Sequence, residues 1–374
     1  MNIEFRLHRL EIQGEIFIQL PMVCGNSVSL YLFTLQSSHC STGNTRLLNS
    51  SVPALFAFGD SLVDTGNNND LLTLGRCNFP PYGMNFHDGI ATGRFSNGRL
   101  TIDFYAEALG IKKYVHAYLD PSLQVQDLLT GVSFASSGSG FDSMTSHLAS
   151  VRSLNEQLKM FKRYRRRIKS VVGPRRAEFI LRNSIFIVAA GSWDLANTYF
   201  ALPFRRVQYD VDSYTTFMLK RASRFLKKLF RLGARKVGVS NIPPLGNIPS
   251  ARTLAGGLTR ESAQHYNQAV EMFNTKLSLE VQSLNNTLPQ AKAVYIDLYG
   301  IMVDILHNKT RYGFEVIDRG CCGSGLIEAG PLCNPFSRIC DSKKFVFWDS
   351  YHATEAVNQI FAAQTLEKYF HLFF

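Results

Sequence analysis

The sequence is poor in charge, and poorest in acid. Only 18% of its 374 residues are Asp, Glu, Lys or Arg, and 29 acidic side chains face 40 basic ones. With 45% hydrophobic and 12% aromatic residues, this composition excludes a globally disordered chain. No run of 18 apolar residues occurs, which excludes a hydrophobic transmembrane helix. The nearest approach, "IFIQLPMVCGNSVSLYLFTL" (16–35), is broken by Gln19, Pro21, Gly25 and Asn26. There is no G-x-S-x-G elbow, so an ordinary α/β-hydrolase is disfavoured. Neither a P-loop nor G-x-G-x-x-G occurs, which removes the usual phosphate cradles. No C-x-x-C pair exists and no histidines fall at finger spacing, so a zinc module is not expected. Internal repeats and low-complexity linkers are absent.

What is present is a formal net charge of +11. Such a balance favours acidic surroundings: nucleic acid, anionic lipid or acidic polysaccharide. The basic residues concentrate in one stretch, Lys159, Lys162, Arg163, Arg165, Arg166, Arg167 and Lys169, on the polar side of an amphipathic helix. A solvated face is the plainest reading of it; a pectin-like polyanion or an anionic lipid surface is the functional one. Nucleic acid is not expected, because no binding motif accompanies the charge.

Seven cysteines are unevenly placed. Cys321, Cys322, Cys333 and Cys340 crowd together, with Cys77 alone upstream, a pattern that reads as disulfides rather than a metal site. Four cysteines allow three pairings, and Cys77 adds more. Sequons at Asn49, Asn285 and Asn308 suit a secreted chain. Residues 1–51 are mixed in charge and unlike a tidy signal peptide; they read as an atypical targeting segment or a mis-assigned first exon. One domain is expected over 52–374.

From residue 52 the pattern becomes regular. Short apolar runs at 53–58, 131–135, 184–191, 236–242 and 293–298 read as buried strands. Helical patterns over 98–110, 153–169, 211–233, 259–284 and 354–370 alternate with them, and Ser153 with Glu156 forms a capping-box signature. Five strands alternating with helices imply a parallel, doubly wound sheet. In such sheets sites gather beyond the carboxyl ends of strands. Ser61, Gly138, Gly191 to Asp194 and Asn241 all follow such ends.

"FAFGDSLVDTG" (56–66) raises the sharpest question, since a buried strand stops at a serine. A lone serine there is more often a turn residue. Its company is "FVFWDSYHATEAV" (345–357), where Asp349 and His352 stand three apart at the start of a helix. That spacing lets both project to one side. A histidine oriented by a carboxylate is what a serine needs to lose its proton.

Six ordered blocks, "FGDSLVDTGNNN", "FPPYG", "GRFSNGRLTIDFYAEALGI", "GVSFASSGSGFD", "VAAGSWDLANTYF" and "FWDSYHATE", together resemble the plant GDSL-type esterases/lipases of the SGNH hydrolase superfamily, over residues 52–374. "RGCCGSGLIEAGPLCN" resembles that family's cysteine-bearing loop. The resemblance implies a flavodoxin-like three-layer α/β/α fold with a five-stranded parallel sheet, and hydrolysis of acyl esters without metal or organic cofactor. It implies Ser61 as nucleophile, His352 as general base and acid, and Asp349 as its orienting carboxylate. The amides of Ser61 and Gly138 are the implied oxyanion donors. A third donor, the family's asparagine, is replaced by Trp193, and Ser137 and Ala353 stand where glycine and proline are usual. Three functions follow: a serine esterase or lipase, a weakened relative that binds acyl or glycan ligands, and an acyltransferase.

Overall fold

The computed structural model describes residues 52–325, 327–328 and 333–374, and the backbone of 9–12 and 15–18. The chain separates into two units, 1–49 and 50–374. In the first, β1 (Arg9–Ile12) pairs antiparallel with β2 (Glu15–Ile18). The sequon at Asn49 lies outside the described residues.

In the second unit, β3 (Leu55–Gly59), β4 (His116–Ala117), β5 (Val132–Ser133), β6 (Ile185–Ala189), β7 (Lys236–Ser240) and β8 (Lys292–Ile296) form one parallel sheet in the order β4-β5-β3-β6-β7-β8. The expected five strands are therefore six. The extra one, β4, is a two-residue edge strand with no apolar run to announce it; it exists because β5 offers a free edge. Without β4 the order is the flavodoxin-like 2-1-3-4-5.

The helices are α1 (Thr101–Ala108), α2 (Val125–Leu129), α3 (Ser143–Leu148), α4 (Leu154–Asn183), α5 (Val211–Arg231), α6 (Pro249–Ala255), α7 (Gln264–Thr287), α8 (Leu298–His307) and α9 (Glu355–Tyr369). Every residue of β3 and β6 is buried, so both sheet faces are covered. On one side Phe56 and Phe58 of β3 meet Phe161 of α4 edge-on or tilted. There α5 packs against α7, while α1 and α8 pack against α9.

The expected helix over 153–169 starts as its sequence signals. Ser153 Oγ accepts from the Glu156 amide, and the Glu156 carboxylate accepts from the Ser153 amide. It then runs much further, because Gly173 breaks it at φ 79° and Pro174 reopens it at a position where a missing N–H costs nothing. A small separate parallel pair, β9 (Val316–Gly320) with β10 (Phe345–Phe347), lies before α9 and was not foreseen.

Candidate active site

The flavodoxin-like order reverses between β5-β3 and β3-β6, and the crevice opens there. Gly59 ends β3 at φ 134°; a Cβ on it would sit 1.7 Å from the Ala189 carbonyl oxygen of β6. Only glycine lets the two strand ends close up at this point. The chain then turns, and Ser61 emerges buried at the strand tip.

Asp349 and His352 leave the end of β10. The cysteine loop holds this end: Cys321 pairs with Cys340 and Cys322 with Cys333. The Cys321 and Cys322 amides donate to the Phe347 and Trp348 carbonyls, so the bridged loop braces the strand that carries the pair. Cys77 is a buried free thiol and takes no part in the bridges.

Asp349 and His352 do meet, but not on a helix as their spacing suggested, since α9 begins only at Glu355. The chain instead curls around the carboxylate. The Tyr351 and His352 amides donate to Asp349 Oδ1 at 2.8 and 2.7 Å. The His352 ring turns back so that Nδ1 lies 2.9 Å from both carboxylate oxygens. Its other nitrogen, Nε2, lies 2.8 Å from Ser61 Oγ. All three side chains are buried.

Burial alone pushes the Asp349 carboxyl up. The His352 charge and the hydrogen bonds from His352, Tyr82 and the Tyr351 amide outweigh it and hold the carboxyl below its usual range. Asp349 therefore stays anionic opposite the imidazole. The Tyr82 hydroxyl donates to Asp349 Oδ2 at 2.7 Å. The Phe95 ring covers His352 at 4.7 Å between centroids. Neither residue was singled out from the sequence. The signal for Tyr82 was its place in "FPPYG", a block that carried resemblance but no assigned chemistry.

The turn bearing Gly138 is tied to the turn bearing Ser61. The Ser136 amide and Ser139 Oγ both donate to the Gly59 carbonyl, at 3.0 and 2.6 Å. Asp64 Oδ2 accepts from the Ser137 amide, while Asp64 Oδ1 accepts from the Gly66 and Asn67 amides. Asn68 Nδ2 donates to the Ser137 carbonyl, and Asn67 Nδ2 to the carbonyls of Ser133 and Ala135. The polar tail "DTGNNN" is thus the clamp between two strand ends. Gly138 itself takes φ 84°, and Ser137 does not need a positive φ.

From the far side Asp194 accepts from the Phe141 and Asp142 amides and from the Thr145 hydroxyl. Burial raises the carboxyls around these turns: Asp194 to about 8, Asp64 to about 6, and Asp60, which follows Gly59 and accepts from the Leu62 amide, to about 7.

Trp193 is half-buried and stacks on Tyr351, with centroids 5.7 Å apart and planes 14° from parallel. It stands between two cavities. The smaller, about 50 Å³, is lined by Ser61, His352, Ala196, Asn197, Pro243 and Met302 among others. The larger, about 730 Å³, is lined by Leu72, Leu74, Leu148, Leu202, Tyr82 and His352 among others. Trp193 and Asn197 line both. Residues 194–201 form a π-helical segment, a feature common at functional sites. Within it Asn197 Nδ2 is buried without a hydrogen-bond partner. Asn241 belongs elsewhere: its carboxamide joins Tyr295, Asp297 and the amides of Leu298 and Tyr299 at the end of β8, so it is a structural tie.

Asn285 and Asn308 are both exposed. Asn285 already bonds the Ala293 backbone through both side-chain atoms, and Asn308 donates to Asp304.

The sequence profile of the family described as GDSL-like Lipase/Acylhydrolase matches residues 55–365. An Arabidopsis thaliana protein named GDSL esterase/lipase EXL3 is 51% identical over 324 residues, covering 86% of this chain and 89% of that protein. GDSL esterase/lipase EXL2 of the same plant is 44% identical over 350 residues, covering 88% of this chain and 92% of its own. Among solved structures, phospholipase A1 from Streptomyces albidoflavus NA297 aligns with 85% of this chain and 99% of its own, at 14% identity and a TM-score of 0.40.

Proposed function

The chain belongs to the GDSL-like lipase/acylhydrolase family and is a carboxylic ester hydrolase; we propose that it works through an acyl-enzyme on Ser61, acting on esters of acyl lipids or of acylated cell-wall components. The observation that carries this reading is the unbroken contact chain from Ser61 Oγ through the His352 ring to Asp349.

Asp349 accepts a hydrogen bond from the Nδ1–H group and so fixes the tautomer that leaves Nε2 free to accept. Ser61 gives its proton to Nε2 as Oγ attacks the ester carbonyl. The imidazolium that forms faces an ionised carboxylate in a buried setting. It then returns the proton to the leaving alcohol. Water, activated by the same nitrogen, releases the acid and restores the serine. Phe95 and Tyr82 keep His352 and Asp349 in place and shielded from bulk water.

The negative charge that develops on the carbonyl oxygen needs donors already in position. The Ser61 and Gly138 amides are the two backbone candidates. Neither has a protein acceptor among the described residues. The third donor in this reading is Asn197. Four residues beyond Trp193, it lines the cavity that Ser61 and His352 share, and its Nδ2 is buried without a partner. Trp193 acts as a partition between the two cavities.

This assembled chain argues against a binding-only relative, and no observation favours an acyltransferase over a hydrolase. An extracellular location is supported by the two disulfides and by the exposed Asn285 and Asn308, and no helix among the described residues is long and apolar enough to cross a membrane. The basic face of α4 supports an acidic polysaccharide or an anionic lipid surface as partner.

A panel of p-nitrophenyl esters tests the reading. Ser61→Ala and His352→Ala should each remove nearly all turnover while the circular dichroism of the fold is unchanged. Retention of more than about a few per cent by either variant defeats the assignment.

A further inference from the structure

The break in α4 makes a cleft far from the catalytic serine. At Gly173 and Pro174 the helix bends, and the C-terminal part meets the end of α5 and the short link into β7. The resulting cavity is about 430 Å³ in volume and open to solvent on one side. Lys162, Arg165, Arg166 and Lys169 enter it from the first part of α4, Arg182 from the second, and Arg231 and Arg235 from the α5–β7 junction. Ala177 and Leu181, both buried, form part of its floor. Arg235 immediately precedes the amino end of β7, whereas Ser61 follows the carboxyl end of β3. In a parallel sheet these are opposite ends of the strands, about 16 Å apart along the strand direction for five residues.

Seven cations share this space with one lining carboxylate, Glu178, which lies 3.5 Å from Arg182. No other carboxylate pairs with the cleft cations among the described residues. The sheet end beside it is basic as well: Lys236 and Lys292 are register partners on β7 and β8. Crowded like charges weaken a fold unless something neutralises them. Two of the guanidinium groups are also incompletely satisfied. The Nε atoms of Arg165 and Arg235 are out of solvent without a hydrogen-bond partner, although Arg235 Nη1 donates to the carbonyls of Phe230 and Ala234. Buried donors are rarely left open without a reason. A solvated basic face explains exposed lysines; it does not explain donors turned inward from two separate elements.

We propose that this cleft binds a segment of linear acidic polysaccharide, whose successive carboxylates run along α4 and accept hydrogen bonds from Arg165 and Arg235. Along α4, residues 162, 165, 166 and 169 span about 10 Å on one side of the helix, which suits an extended chain better than a single small anion. The site is concave and its apolar atoms lie beneath the cations. A bilayer surface would instead meet apolar side chains at the rim. The cleft lining holds no aromatic ring on which a base could stack, which sets nucleic acid aside. The site is separate from the catalytic crevice, so it retains the enzyme on a polyanionic matrix without altering the ester-hydrolysing chemistry.

The test uses the full chain and fluorescently labelled polygalacturonate fragments, with neutral dextran and phosphatidylserine vesicles as comparison probes. The wild type should bind polygalacturonate, with affinity falling as salt rises. Arg165→Gln, Arg166→Gln and Lys169→Gln together should weaken it about tenfold or more. Lys220→Gln, Arg224→Gln and Lys228→Gln on the exposed side of α5 remove equal charge and should weaken it far less. Arg165→Lys should also lose affinity, because an ammonium keeps the charge but not the planar donor. Hydrolysis of a small uncharged ester should be unchanged in every variant. Equal losses from the two triple variants, or binding to vesicles but not to polygalacturonate, overturns the proposal. Binding that survives the cleft variant overturns it too.

Discussion

Replacing Asn197 by alanine should lower kcat on a small activated ester by about 10²–10³, the usual worth of one oxyanion donor, with KM little changed. Trp193→Asn should give no comparable gain, because the donor is supplied from the next turn. A large gain in kcat on small esters from Trp193→Asn, with Asn197→Ala near wild type, would return the donor role to position 193. Gains confined to long acyl chains would instead show that the indole acts only as a partition. At this scale the sequence was legible wherever a residue's chemistry needs a neighbour close in the chain. Asp349 and His352 could be paired from their spacing, and Ser61 from its place at a strand end. Tyr82 and Asn197 were not legible in the same way. Tyr82 reaches Asp349 across 267 positions, and an unpartnered amide exists only in three dimensions. Asn197 had a faint signal, one helical turn beyond the altered position.

Among elements, the apolar runs located five strands because a strand covered on both faces must be apolar throughout. β4 escaped for the converse reason: two residues at an edge need no pattern. The extension of α4 was hidden by Gly173 and Pro174, which signal an end as readily as a bend. The turns after β3 and β6 are held by Asp60, Asp64 and Asp194, all fully buried, with carboxyls raised to about 7, 6 and 8. The ordinary aspartate value is 3.8. A carboxyl raised by folding binds its proton more tightly in the folded state. Its contribution is therefore whole below the ordinary value and is lost as pH climbs through the folded one. The melting temperature should accordingly fall between about pH 5 and pH 8, and Asp60→Asn should flatten that slope. Asp349 has the opposite sign, but its loss comes only as pH falls through its lowered value, outside this window. A melting temperature that stays flat from pH 5 to 8 would show that these three carboxyls are ionised in the fold.

For the whole molecule, cysteine crowding announced bridges, but only the fold could choose among the pairings. The loop must brace β9 against β10, and the two bridges do so from adjacent residues, Cys321 and Cys322. Mass spectrometry of unreduced protein from its native tissue should recover Cys321–Cys340 and Cys322–Cys333, with Cys77 alkylated only after unfolding, and glycan at Asn285 or Asn308. Four freely alkylated thiols at those positions would place the protein in a reducing compartment. The catalytic assignment joins parts of the chain that lie 291 positions apart at the Ser61–His352 contact, and one measurement reaches it directly. A fluorophosphonate probe should label the folded protein at a single residue, mapped by peptide sequencing to Ser61. His352→Ala should label far more slowly and Ser61→Ala not at all. A protein that stays unlabelled, or carries the probe on a serine other than Ser61, contradicts the account.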